Sequence, residues 1–188
     1  MLSLEHPRDL VMSGAIFGAA AFVWAGWAQE QPPAGIAWRI VLGILSALGV
    51  VLDAICISIA AHHWSAGSAF DTKGAPFITY VVVFWVEVAL MIGLSIWANL
   101  AGRADLIAPL ILAIVGIHFL PLAWVFGQPI LAIVGVVLTV IAVFAALARA
   151  DDVARSFWCG ILGAPVLLIA GAWCAAAGAA VLRDGSVA

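Results

Sequence analysis

Charge is scarce in this chain: Lys and Arg together number 7 and Asp and Glu 10 among 188 residues. No basic or acidic block interrupts them, which argues against nucleic acid as a partner and against electrostatic anchoring at a lipid surface. Lys73 is the only lysine and falls in a polar break, so a retinal Schiff base within a helical bundle is excluded. The three cysteines, Cys56, Cys159 and Cys174, form no CxxC pair and no zinc-like spacing. At helical rise Cys159 and Cys174 stand roughly 22 Å apart, too far to bridge, and no disulfide framework is expected. Alternating strand patterns, phosphate-binding glycine loops, HExxH and serine nucleophile elbows are also missing.

Apolar residues fill the space that charge leaves. They make up 66% of the chain, and mean hydropathy is +1.24. A single soluble core of this size cannot bury so much apolar surface, and long apolar runs point to membrane spans. Six such segments follow one another: Leu10 to Ala28, Ile36 to Ala61, Phe77 to Leu100, Leu106 to Phe126, Ile130 to Leu147 and Ser156 to Leu182. Each approaches the ~20 residues that a helix needs to cross ~30 Å of hydrocarbon, where the backbone must satisfy its own hydrogen bonds. The breaks "QEQPPAG", "HHWSAGSAFDTKGAP", "AGRAD", "GQP" and "ARADDVARS" carry turn chemistry. The first segment resembles a signal peptide in length, but Glu5 and Asp9 beside Arg8 replace a plain positive patch, and it is read as a first span.

The expected fold is therefore all-α: a polytopic integral membrane protein, residues 1–188 forming one domain of six transmembrane helices in a single bundle. Six spans put both termini on one face, face A. Arg8, Lys73 and Arg183 fall on face A, and Arg39, Arg103, Arg149 and Arg155 on face B, which leaves the absolute orientation near even. A fourth-to-fifth break without positive charge favours B as the cytoplasmic side. Trp24, Trp27, Trp38, Trp97 and Trp158 at span ends on face B, with Trp64 and Trp124 on face A, read as interfacial belts; Trp85 and Trp173 lie deep in their spans. Gly14 and Gly18, Gly160 and Gly163, and Gly171 and Gly178 supply small faces where helix backbones approach, within the chain or against a second copy or membrane partner subunit.

Three ionisable residues lie deep inside spans: Asp53 in the second, Glu87 in the third and His118 in the fourth. Scaled along their own spans, all three fall at nearly one depth, at or slightly to the A side of the midplane, where they can meet. Each charge there costs at least about 2.5 to 3.5 kcal/mol, so an interior, paired or hydrated setting is expected. A protonated histidine beside one carboxylate is a neutral pair, and such a set titrates as a unit near physiological pH. Tyr80, Phe84, Glu87 and Met91 share one stripe, as do Ser46, Gly49, Asp53 and Cys56. Tyr80, Trp85, Ser46, Cys56 and Pro121 are the expected supporting residues, with Pro121 kinking the fourth span one turn beyond the histidine. His62 and His63, followed by Trp64 and Asp71, form an expected rim on face A. Adjacent histidines diverge by about 100° on a helix and rarely share a metal. The sequence assigns no cofactor and no metal.

The string "GIHFLPLA", through Gly116, His118, Phe119, Pro121 and Ala123, resembles a helix motif of uncharacterised small bacterial multispanning membrane proteins. The resemblance covers this span alone. It implies that histidine and proline form one unit. The expected location is a bacterial inner membrane. Three functions remain open on the residues: a proton- or cation-linked transporter of a small solute, which the trio favours; an accessory membrane subunit whose polar trio only fixes helix packing; and a membrane-embedded enzyme or lipid- or cofactor-binding protein using His118 with an acid partner.

Overall fold

Every break in the apolar sequence ends a helix. The computed structural model describes residues 4–68, 74–149 and 152–185. Within them lie α1 (Pro7–Trp27), α2 (Ile36–His62), α3 (Ala75–Leu100), α4 (Ile107–Val125), α5 (Pro129–Leu147) and α6 (Arg155–Gly185), with one turn of 3-10 helix at Ala104–Leu106. All six helices are long and apolar enough to cross a membrane. Asp71 and Lys73 lie outside the described residues.

Two glycines set the sharp turns. Gly102 (φ 67°) and Gly127 (φ 60°) take up the left-handed conformation just past α3 and α4. The next amides reach back to close each helix, Arg103 N to Ala98 O at 2.7 Å and Gln128 N to Ala123 O at 2.9 Å. Both are Schellman closures, which satisfy carbonyls that a helix end leaves open. Proline at the start of α1 and of α5 costs no helical hydrogen bond. Pro121 and Pro165 instead sit inside α4 and α6, and both helices continue through them.

The helices pack as a curled row in the order α2, α1, α6, α5, α4, α3, with α6 also touching α2 and α4. α1 can pack on two neighbours because its buried positions, among them Leu10, Gly14, Phe17, Ala21 and Trp24, include small residues at helical spacing. The seam with α2 is a glycine pair: a Cβ on Gly18 would lie 2.7 Å from the Gly49 carbonyl oxygen, and one on Gly49 would lie 2.6 Å from that of Gly18. Gly171 and Gly178 of α6 meet Phe17 and Pro7 of α1 in the same manner. Gly14, Gly18, Gly171 and Gly178 thus pack against the chain's own helices. Gly163, by contrast, leaves ordinary van der Waals space towards Leu138.

Two expected interfacial tryptophans belong to the core instead. Trp24 is buried, stacked on Trp27 with ring centroids 5.5 Å apart. It is drawn in because Gly160 of α6 lets the two backbones touch at its carbonyl. Trp158 is partly buried between the rings of Phe144 and Phe157. Trp38, Trp97, Trp64 and Trp124 are exposed at helix ends, as belt residues would be.

Candidate functional site

The curled row decides which of the deep ionisable residues meet. α3 packs on α4, and Glu87, midway along α3, faces His118 across that seam with Oε2 3.1 Å from Nδ1. Both side chains are nearly enclosed, 13% and 11% exposed. Oε2 lies off the direction of a linear hydrogen bond, so Nδ1 has no aligned acceptor among the described residues, and the contact is one of charge and proximity. Neither the Glu87 nor the His118 side chain makes a hydrogen bond among the described residues.

Asp53 does not join them. α2 stands at the far edge of the row from α3, and the stripe of Ser46, Gly49, Asp53 and Cys56 faces α1. The Asp53 amide nitrogen lies where a Cβ on Gly18 would be 2.8 Å away, Ser46 Oγ donates to the Phe22 carbonyl at 3.4 Å, and Cys56 Sγ abuts Gly14. Equal depth therefore brings together two of the three residues, because depth says nothing about lateral order. Ser46 and Cys56 go with Asp53 and support the α1 seam rather than the pair. Trp85 also departs from its expected place: it points outward, 63% exposed, edge-on to Phe84 at 5.6 Å.

Beside His118 lies a cavity of about 470 Å³. Its lining comes from the half of the bundle where α1 begins, here called end A. α1 supplies Arg8, Asp9, Met12 and Phe17, and α4 supplies His118, Phe119, Leu122 and Phe126. Tyr80 of α3, Trp64 and Gln128 complete it near the mouth. Among its lining residues the Phe17 and Phe119 rings meet edge-on at 5.5 Å. His118 faces the cavity while Glu87 does not line it, so the histidine stands between the cavity and the carboxylate.

His62 and His63 are not its rim. Their Nδ1 atoms lie 2.8 and 3.0 Å from the carbonyls of Ser58 and Ile59, one turn back along α2. They close the end of their own helix. The rim is built instead from His6, Arg8, Asp9, Trp64 and Ser68. Arg8 Nη1 donates to the Trp64 carbonyl at 2.6 Å, and the guanidinium lies 4.7 Å from the centre of the Trp64 ring. Asp9 accepts a hydrogen bond from the Ser68 hydroxyl at 2.9 Å.

The opposite end, B, is laced shut. The Glu30 carboxylate accepts from the buried Ser156 hydroxyl at 2.8 Å, and the Ala154 amide donates to the Gln31 carbonyl at 3.0 Å. Arg155 pairs with Asp105 and donates through Nε to the Ala148 carbonyl at 3.1 Å. Arg39 and Gln29 clip α1 to α2 through Nη1 to the Gln29 carbonyl (3.0 Å) and Nε2 to the Arg39 carbonyl (2.9 Å). The two ends thus differ: one holds a cavity, the other a polar lattice joining three loops.

A histidine and a carboxylate in this setting can hold one proton between them with no net charge. Loss of that proton leaves a single negative charge, and gain of another leaves a positive one; both are penalised by the apolar surroundings. His118 is the member of the pair that the cavity reaches. Among the described residues no group of three histidine, cysteine or acidic side chains gathers as a metal site. Sequence reading missed Arg8, Trp64, Phe17 and Gln128 as site residues, because they belong to segments distant in the chain and only the packing assembles them. The one available signal was the polar cluster Glu5, His6, Arg8 and Asp9 directly ahead of an apolar run. No family model, no curated protein and no solved structure matches this chain.

Proposed function

We propose that this chain is a multi-pass protein of the bacterial inner membrane, with both termini on one face, that carries a small solute in exchange for or together with a proton. Six helices of sufficient length and hydropathy support the membrane setting. The contact of Gly178 near the end of α6 with Pro7 at the start of α1 supports the shared face of the termini. The observation that carries the transport reading is a solute-sized cavity lined by His118 of the Glu87–His118 pair. A packing-only role for the pair gains nothing from such a cavity, since a polar cluster that merely registers helices works best when it is dry.

In this reading the cavity at end A receives the solute, the pair changes its proton, and the lattice at end B is the barrier that must open for release. Uptake of a panel of radiolabelled organic anions, cations and neutral solutes into proteoliposomes under an imposed pH gradient tests it. At least one class is taken up faster than by empty vesicles. His118→Gln removes the gradient dependence while the protein remains folded and extractable. Uptake of every class at the level of empty vesicles, or a His118→Gln effect confined to thermal stability, defeats the transport reading.

A further inference from the structure

Most polar groups that line the cavity already have partners. Arg8 is held by the Trp64 carbonyl and ring, and its charge is met by Asp9. Ser13 Oγ donates to the Asp9 carbonyl at 2.9 Å, and Asp9, Ser68, Tyr80 and Gln128 each have a partner. Much of the remaining wall is Met12, Ile16, Phe17, Phe119, Leu122 and Leu131, all apolar. An ion entering such a space gives up its hydration for walls that offer no spare counter-charge, whereas an uncharged apolar compound gains by burial. Ile16 is an exposed residue as well as a wall residue, about 13 Å along α1, so at that depth the wall runs on into the surface that a membrane would cover. The volume of about 470 Å³ falls within the roughly 300 to 1,000 Å³ of small-molecule sites.

His118 adds a hydrogen-bonding atom to this apolar space. Its Nδ1 is enclosed beside Glu87 Oε2, but Nε2 is neither hydrogen-bonded nor enclosed among the described residues, and the ring is a wall of the cavity. Nε2 is therefore the atom that the ring offers to an occupant, and the pair decides what it offers. While the pair is neutral, its shared proton is held on the side of Nδ1 and Oε2 whichever residue owns it, so the other imidazole hydrogen is on Nε2, a donor. Once that proton is lost, the remaining hydrogen is drawn to Nδ1 beside the carboxylate, and Nε2 can only accept. The other ionisable groups around the pair are Tyr80 of α3 and, at the mouth, His6, Arg8 and Asp9. α5, which packs on α4, carries no ionisable residue, and α6 brings only the buried Cys159 and Cys174 between its ends.

We infer that the cavity binds an uncharged compound with an apolar body and a carbonyl oxygen, the body among Phe17, Phe119 and Leu122 and the oxygen accepting from His118 Nε2. Ligand and proton are held together, because loss of the proton turns Nε2 from donor to acceptor. This names the substrate class of the carrier proposed above and rests on that reading.

Saturable binding of radiolabelled probes to the protein in nanodiscs, over empty nanodiscs, tests it. Acetonaphthone against ethylnaphthalene, and dodecanone against dodecane, are pairs with and without the carbonyl; naphthoate and naphthyltrimethylammonium are the charged counterparts. At least one ketone fills a single site roughly fivefold more tightly than its hydrocarbon and than either ion, the contribution of about one hydrogen bond. Across a pH series this preference over the hydrocarbon is lost towards alkaline pH. His118→Phe brings the ketone to the level of the hydrocarbon at every pH, and Ser13→Phe, which fills the cavity from α1, removes binding of both. The ranking of the probes on the unmodified protein keeps the test decisive where a variant fails to fold. No saturable binding of either ketone, equal binding of the hydrocarbon at every pH, or preference for an ion overturns the inference. So does a ketone preference that is unchanged by pH or in folded His118→Phe, or binding retained in folded Ser13→Phe. Absence of the ketone preference with His118-dependent uptake of another class retained removes the substrate class alone, whereas ketone binding without uptake of any class removes the carrier.

Discussion

Glu87 and His118 stand 3.1 Å apart, nearly enclosed, and their side chains make no hydrogen bond among the described residues. Each is the ionisable group in contact with the other, and in the proposed carrier the two hold and release protons as a pair. The pair is neutral with one proton, negative with none and positive with two. A process that needs the neutral state rises and then falls with pH, and a process that cycles between states is lost when either residue stops titrating. Glu87→Gln and His118→Gln are each expected to abolish the pH dependence of uptake, read from initial rates across a pH series. Asp53→Asn is expected to leave that profile at the unmodified level, since Asp53 sits on the α1 side of α2. A profile altered equally by Asp53→Asn would restore a three-residue site and contradict the arrangement described. In thermal unfolding, the Glu87→Gln and His118→Gln effects should be non-additive, with a coupling of about 0.5 to 3 kcal/mol from a double-mutant cycle.

At the level of helices, close approach through glycine holds the row together. A side chain at Gly18 must displace the α2 backbone, because the nearest atoms are the Gly49 carbonyl and the Asp53 amide rather than a movable side chain. Gly18→Leu should lower stability by about 1 to 3 kcal/mol, in line with overpacking, while Gly26→Leu, with nothing within 4 Å of its Cβ, should cost less; thermal melts in detergent compare them. Equal effects would mean that the α1–α2 seam is looser than described. The helices themselves were legible in the sequence, since each apolar run had to become a helix of nearly its own length. So was the shared depth of Glu87 and His118, which follows from helical rise. Lateral order was not legible: nothing in the linear pattern of α2 says that it pairs with α1 and lies across the row from α3. For the same reason Asp53 was grouped with residues it does not reach. Nor does position along a span separate the buried Trp24 and Trp158 from interfacial residues, since it does not reveal a small residue such as Gly160 on the neighbouring helix.

For the whole molecule, the contrast between its ends organises everything else. End A holds the cavity with Arg8 at its mouth and His118 within, and end B is tied by Glu30 to Ser156 and by Arg155 to Asp105. In the carrier proposed above this form offers its site to one side, and loosening the lattice should raise access from the other. Glu30→Ala, which frees the buried Ser156 hydroxyl, is expected to increase reactivity of the cavity from end B without changing it from end A. The chain is suited to such a measurement, because Cys56, Cys159 and Cys174 are all buried and give little background. Leu122 lines the cavity one helical turn beyond His118. The decisive observation is the rate at which Leu122→Cys reacts with a membrane-impermeant maleimide in vesicles of the two opposite orientations. Fast labelling from the face that carries the start of α1, and far slower labelling from the other, is the expected result. Equal labelling from both faces, or none from either, would contradict the proposal that the cavity beside the histidine is reached from end A.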